Sequence, residues 1–162
     1  MAYAVVRTDL MDGTDVRAQL VSVKYMGSDG ETETEIENGN VLKVQTLIDG
    51  ERELYLGEVP AADDAVSDIV LIATPEVMYD ERKHNLDEFI NEAGIPCRGY
   101  RLHSGNIFSV TADALDGTPE VGSTVTLAAD TKLAVGGTGT EVGTIIEEEV
   151  GSRYTYYAIR VA

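Results

Sequence analysis

The sequence predicts a mainly β fold, a compact β-barrel or β-sandwich-like arrangement with one short helix near residues 85–94, and three observations carry that expectation. β-Branched and aromatic residues alternate with polar ones in short runs. Turn pairs such as Asp29-Gly30, Asn38-Gly39 and Asp49-Gly50 punctuate those runs. Only one segment repeats apolar residues at helical spacing between recognisable caps.

Residues 1–15 read as an N-terminal arm or edge strand, and 16–162 as a β-rich body whose division into two small β subdomains would fall near 75–98. In VRAQLVSVKY (16–25), Val16, Ala18, Leu20 and Ser22 share one strand face while Arg17, Gln19, Val21 and Val23 share the other. The acidic stretch GSDGETETEIENGN (27–40) lies between turn pairs and reads as a long hairpin tip or exposed loop. VLKVQTLI (41–48) and ERELYLGEV (51–59) flank Asp49-Gly50, a pair that favours a type I′ turn, and form the clearest hairpin. DIVLIAT (68–74) has consecutive apolar residues of β-branched character, the pattern of a strand buried on both faces.

The helix follows. Asn85 is its N-cap, Asp87 and Glu88 fill its first turn, and Leu86, Phe89, Ile90 and Ala93 fall at i, i+3, i+4 and i+7 before Gly94 and Pro96 end it. Phe89 and Ile90 are expected to face the core. GYRLHSGNIFSV (99–110) reads as two short strands about Ser104-Gly105-Asn106, and TADALDG (111–117) allows one helical turn. STVTLA (123–128), EVGTIIEEEV (141–150) and RYTYYAIRVA (153–162) supply three more strands, the last two joined at Gly151-Ser152. The glycine-rich AVGGTGTEVG (134–143) has no helix start and no Lys-Ser/Thr pair, so it is a loop and not a phosphate cradle.

Acids outnumber bases 29 to 12, giving a formal net charge of −17 spread along the whole chain. Such a surface repels phosphate backbones and anionic lipid, so neither nucleic acid nor membrane is an expected partner. The lone Cys97 permits no intramolecular disulfide and no cysteine-based zinc site, which suits a reducing compartment. The start lacks a secretory pattern, and no run approaches the ~18 apolar residues of a membrane span.

Candidate chemistry is sparse. His84 and His103 flank Cys97, but a cysteine among glycine and proline at a turn reads as a small filler residue. Asp29, Glu31, Glu33 and Glu35 are spaced by two without reproducing a calcium loop, and a charged strand edge is expected there; His84 with Asp80 or Glu81 is the other metal option. Among 29 acids no carboxylate pair stands out for glycoside hydrolysis. No catalytic residue, cofactor or metal is therefore expected. Glu147, Glu148 and Glu149 read as a solvated strand end, while Tyr154, Tyr156 and Tyr157 put aromatic surface on both faces of its partner, one face for core and one for a subunit contact. Residues 1–25 form the least negative long stretch before the acidic loop. Their Tyr3, Val5, Val6, Arg7, Arg17 and Lys24 are the candidate contacts to an acidic partner surface.

TPEVMYDERKHNLDEFINEAGIPCRGYRLHSGNIFSVTADALDG (74–117), VGSTVTLAADTKL (121–133), VGTIIEEEVGSRYTYYAIRV (142–161) and, upstream, NGNVLKVQTLIDGERELYLGEVP (38–60) carry a resemblance. They resemble a group of small proteins encoded beside the major capsid protein in tailed phages of Gram-positive bacteria, of the head decoration or cement class. The resemblance spans about residues 38 to 161. It implies a non-enzymatic virion structural protein that binds the outside of the major capsid protein lattice and reinforces the head, as a homotrimer or symmetric cluster. It also implies a place on the capsid exterior, with assembly in the host cytoplasm. The alternative reading is a virion-displayed adhesive or carbohydrate-binding β-domain whose tyrosines and acidic loops contact sugar.

Overall fold

A computed structural model describes residues 3–11 and 19–162 of the chain. Strands dominate, as the alternation predicts: 39% of the structure is strand and 8% helical, and among the described residues no helix reaches seven residues. β1 (Leu20–Tyr25), β2 (Val41–Leu47), β3 (Leu54–Glu58), β4 (Ile69–Ile72) and β5 (Cys97–Arg101) close into a barrel in the order β1-β3-β2-β4-β5. β5 pairs back onto β1, and only β1 and β3 run parallel. β6 (Ile107–Val110), β7 (Leu115–Asp116), β8 (Thr124–Thr126), β9 (Leu133–Val135), β10 (Glu141–Val150) and β11 (Thr155–Val161) form a six-stranded sheet in the order β6-β11-β10-β8-β9-β7.

The pattern of β4 explains how the two sheets meet. Its four residues, Ile69 to Ile72, are all fully buried. Alternation sends Val70 and Ile72 into the barrel beside Val21, Val23, Leu42 and Cys97, and sends Ile69 and Leu71 onto the second sheet beside Phe108, Val125 and Ile159. A run of consecutive apolar residues is what such a two-sided strand requires. The barrel is too narrow for a side chain at every inward position, and glycine provides the room. A Cβ on Gly57 would stand 2.5 Å from Val23 Cγ1 and 2.9 Å from Leu42 Cδ1. On Gly99 it would meet Val70 Cγ2 at 2.9 Å.

Most expected strands are present. In β1 it is Val21 and Val23 that face the core, while Val16, Arg17 and Ala18 of the expected strand lie outside the described residues. The hairpin of β2 and β3 forms, but its turn is not type I′, because Asp49 keeps a negative φ. Gly50 alone is positive, at 82°, and Glu51 N–H donates to Ile48 O at 3.0 Å, the pattern of a type II turn. The strands on either side of Ser104-Gly105-Asn106 do not pair with each other: the chain leaves the barrel at Arg101 and enters the second sheet at Ile107. Residues 75–98, where a division was expected, run mostly as the long connection between β4 and β5.

The short helix near 85–94 is a single 3₁₀ turn, Leu86–Glu88. Its cap is the expected one: Glu88 Oε2 accepts from the N–H groups of His84 and Asn85, each at 2.8 Å. The turn stops because Phe89 is extended, with ψ 136°, and Asn91 exchanges both backbone hydrogen bonds with Ile36 at 3.0 Å. A ten-residue helix is marginal by itself, and this tertiary bridge outcompetes it. Phe89 and Ile90 are consequently half-buried rather than core residues. Phe89→Ala should cost about 1–2 kcal/mol by urea denaturation, well short of the roughly 3–5 expected for a fully buried phenylalanine.

The N-terminal residues are built into the same core. Ala4, Val5 and Val6 are buried, and Val6 bridges Val110 of β6. Val5 N–H donates to Thr111 Oγ1 at 3.2 Å, Thr111 N–H to Val5 O at 3.0 Å, and Arg7 N–H to Ser109 O at 3.0 Å. Residues 5–7 therefore cover the outer edge of β6, an edge that would otherwise offer unpaired backbone groups.

Candidate functional site

The surface feature with most chemistry is the excursion from Ala73 to Pro96, which leaves the barrel after β4 and returns at β5. Pro75 and Pro96, one near each end, lack the N–H that would continue a sheet ladder. Two buried asparagines fix its base. Asn38 Nδ2 donates to Thr74 O at 2.8 Å, and Asn38 Oδ1 accepts from Thr74 N–H at 3.0 Å and from Asn91 Nδ2 at 3.1 Å. Asn91 Nδ2 also donates to Ile36 O at 2.9 Å. Gly39, at φ 89°, lets the chain turn immediately after Asn38, and a Cβ there would stand 2.9 Å from that of Ala114.

Tyr154, Arg153 and the Tyr3 backbone fasten the excursion on its other side, with Tyr156 and Arg7 packed beside them. Tyr154 OH donates to Asp87 Oδ1 at 2.9 Å, Arg153 lies 3.5 Å from the same carboxylate, and Tyr3 N–H donates to Asp87 O at 3.0 Å. Burial first, and the Asp87 contact second, push the Tyr154 phenol up from its ordinary pKa. Tyr154 and Tyr156 pack edge to face at 6.1 Å. The Arg7 guanidinium lies 5.2 Å over the Tyr156 ring while binding Asp9 through two bonds of 2.9 Å and Glu149 at 3.2 Å; Arg153 lies 5.4 Å over Tyr154. Arg7, Asp9, Arg153, Tyr154 and Tyr156 line a cleft of about 360 Å³.

Of the predicted contact residues, Tyr3, Arg7, Tyr154 and Tyr156 thus gather in one place. Val5 and Val6 are buried in the chain's own core, and Tyr157 lies on the opposite face of β11 against that core. Lys24 pairs with Glu33, and Arg17 lies outside the described residues. The basic groups expected to meet an acidic partner, Arg7 and Lys24, are occupied by carboxylates of their own chain.

The remaining candidates have structural places. Cys97 sits in the barrel, donates to Val23 O at 3.0 Å, and has its thiol pushed up to about 12 by burial, whereas His84 and His103 are exposed. Among the described residues no group of three or more His, Cys, Asp or Glu side chains is placed to hold a metal ion. Asp29 turns its oxygens onto its own loop, accepting from Thr32 Oγ1 at 2.6 Å, Thr32 N–H at 2.9 Å and Glu31 N–H at 3.0 Å. The Thr32 hydroxyl, followed by those backbone donors, lowers the carboxyl to about 2. A depressed folded value means that the turn's stabilisation is complete above the ordinary aspartate range and is lost as pH falls through about 2. A carboxyl-carbon NMR titration should place the Asp29 midpoint near 2. Thr32→Ala should move it upward, and an unchanged midpoint would contradict the assignment.

Sequence reasoning passed over the apolar surface of the excursion. Val77, Tyr79 and Ile95 are 59%, 94% and 58% exposed. With Phe89, Ile90 and Pro96 they border a groove of about 340 Å³. The available signal was three large apolar residues standing beside prolines and charges in PEVMYDERK and GIPC, without strand or helix periodicity. Compared with protein-family models, curated proteins and solved structures, the chain matches none.

Proposed function

We propose that the chain is a virion structural protein of the capsid decoration class, attaching to the outer surface of the major capsid protein lattice through the 73–96 excursion. The observation that carries the reading is an apolar tip on a rigidly held base. Tyr79, Val77 and Ile95 stand in solvent, while Asn38, Asn91 and Asp87 fix the segment to both sheets. A protein that must dock once and stay gains from such preorganisation, because little ordering entropy is lost on contact. The resemblance of residues 74–117 to the decoration class supports the same reading. In it the chain performs no catalysis and acts in symmetric copies set by the lattice.

An electron-microscopy map of the purified particle tests this directly. Density for the two-sheet protein should recur on the shell exterior with the excursion turned inward, and a particle without the protein would overturn the reading. The cleft at Tyr154 and Tyr156 favours the second reading, an adhesive that binds carbohydrate. Against it, the guanidinium groups of Arg153 and Arg7 already cover the ring faces on which a sugar would stack. Saturable glycan-array binding that Tyr154→Ala abolishes would decide for the adhesive.

A further inference from the structure

The groove of the excursion has a chemistry that selects its occupant. Its walls are two arms outside the strand ladders, residues 74–79 and 89–96, and its floor is supplied by Phe89 and Ile90. A smaller hollow of about 120 Å³ continues it past Met78, Asp80 and Glu88. Along this segment the charge is one-sided: residues 76–92 carry six carboxylates, Glu76, Asp80, Glu81, Asp87, Glu88 and Glu92, against the two cations Arg82 and Lys83, although Asp87 is turned to Tyr154 and Arg153 and Lys83 itself lines the smaller hollow. Arg82 is itself bound to Asp80 at 2.7 Å.

We infer that this groove docks an extended segment of another protein, in which apolar side chains are flanked by lysine or arginine. The inference rests on reading the excursion as the attachment element, so the segment belongs to the shell protein. Apolar anchors fill the trough beside Tyr79 and Ile95, and flanking cations meet Glu88 and Glu92 along its rim. A second copy of this chain is the wrong occupant. Groove against groove would oppose these carboxylates with their own kind, on molecules that each carry −17. An aromatic side chain beside an apolar trough with a polar rim has the anatomy of a binding hot spot, and Tyr79 holds that position. The partner is recognised locally by a basic segment even though the chain as a whole is acidic.

The test uses the intact protein and three fluorescein-labelled synthetic peptides, in which two leucines are flanked by lysines, two leucines by glutamates, or two serines by lysines. Fluorescence polarisation should show the first binding at least about tenfold more tightly than the others, and weakening as salt rises from low to physiological ionic strength. Tyr79→Ser with Ile95→Ser should abolish that binding. Because both residues are exposed, the double variant should melt as the wild type does; a single-site Glu92→Lys variant, which changes charge alone, should weaken the lysine peptide and strengthen the glutamate one. Equal binding of all three peptides, or lysine-peptide binding that survives the double substitution, would overturn the groove. Decoration of depleted shells separates this from the functional reading. Shells decorated equally by wild type and double variant overturn the groove, and with it the apolar tip as the point of attachment, while upholding decoration of the shell. Shells that bind neither protein, with the lysine peptide still bound at Tyr79, overturn the capsid reading and uphold the groove.

Discussion

Removing residues 1–8 should unfold the protein or leave it marginal, instead of releasing a dispensable arm. Val5 and Val6 are each about 2% exposed, and Val6 packs into the shared core of barrel and sheet. Burying a valine fully is worth about 1.5–3 kcal/mol, so the two together contribute about 3–6. Native domains are stable by only about 5–15 kcal/mol. The truncation also strips Thr111 N–H and Ser109 O of partners and opens the edge of β6. Loss of the Arg7 guanidinium would leave Glu149 and the Tyr156 ring face without their cation. Urea denaturation followed by far-UV circular dichroism should show a midpoint that collapses or a baseline that is already unfolded. Val6→Asp, which buries a charge and keeps the chain length, should lower stability in the same direction. A truncated protein with the wild-type midpoint would show that these residues do lie apart from the body.

The sequence reading of 1–15 as an arm or edge strand left this open because nothing local distinguishes a segment that packs on its own chain from one that reaches a neighbour. Tyr3, Val5 and Val6 look the same in either role; only the position of Val110 and Thr111 decides. Elements whose evidence is local were legible. The apolar run of β4 declares two-sided burial, and Gly151-Ser152 between two long alternating runs declares the β10–β11 hairpin. Where a local signal competed with a distant partner, the partner prevailed. Asn85 and Glu88 cap a helix start as their types predict, and the helix then fails because Ile36, more than fifty residues away in sequence, takes the backbone of Asn91. The candidate site divides along the same line. Tyr154, Tyr156 and Arg7 were found as chemistry-bearing side chains, yet they pack on one another, and Tyr154 alone of them reaches the excursion, at Asp87. Tyr79 escaped because an apolar residue in an irregular charged stretch carries no periodicity by which to be noticed.

Asn38→Ala should be the most damaging single polar substitution in the protein, and its damage should be confined at first to the excursion. Asn38 is 1% exposed and read locally as no more than the first half of an Asn-Gly turn. Its amide holds four groups at once: Thr74 O, Thr74 N–H, Asn91 Nδ2 and, at 3.3 Å, Glu76 Oε1. Alanine removes the partner from each without admitting water freely to replace it. Leaving a buried polar group unpaired costs about 1–3 kcal/mol, and two or three of them place the total at about 3–5. Asn91, itself 5% exposed, would then keep Ile36 O as its side-chain acceptor and lose the link that carries the constraint to Thr74. The barrel strands are held by their own ladders and by Val23, Leu42 and Val70, so the 73–96 segment should loosen before they do. Amide hydrogen exchange should therefore rise across residues 74–96 while β4 and β5 stay protected, and lysine-peptide binding at Tyr79 should weaken with it. Asn38→Asp distinguishes the geometry from the mere presence of a polar atom: its carboxylate can still accept from Thr74 N–H and Asn91 Nδ2, but it cannot donate to Thr74 O. It should recover part of the stability and keep the Thr74 amide protected, while exchange in the rest of the segment stays above that of the wild type. Uniform exchange across barrel and excursion in Asn38→Ala would show that the segment is not a separately anchored unit, and the docking surface would lose its rigid base.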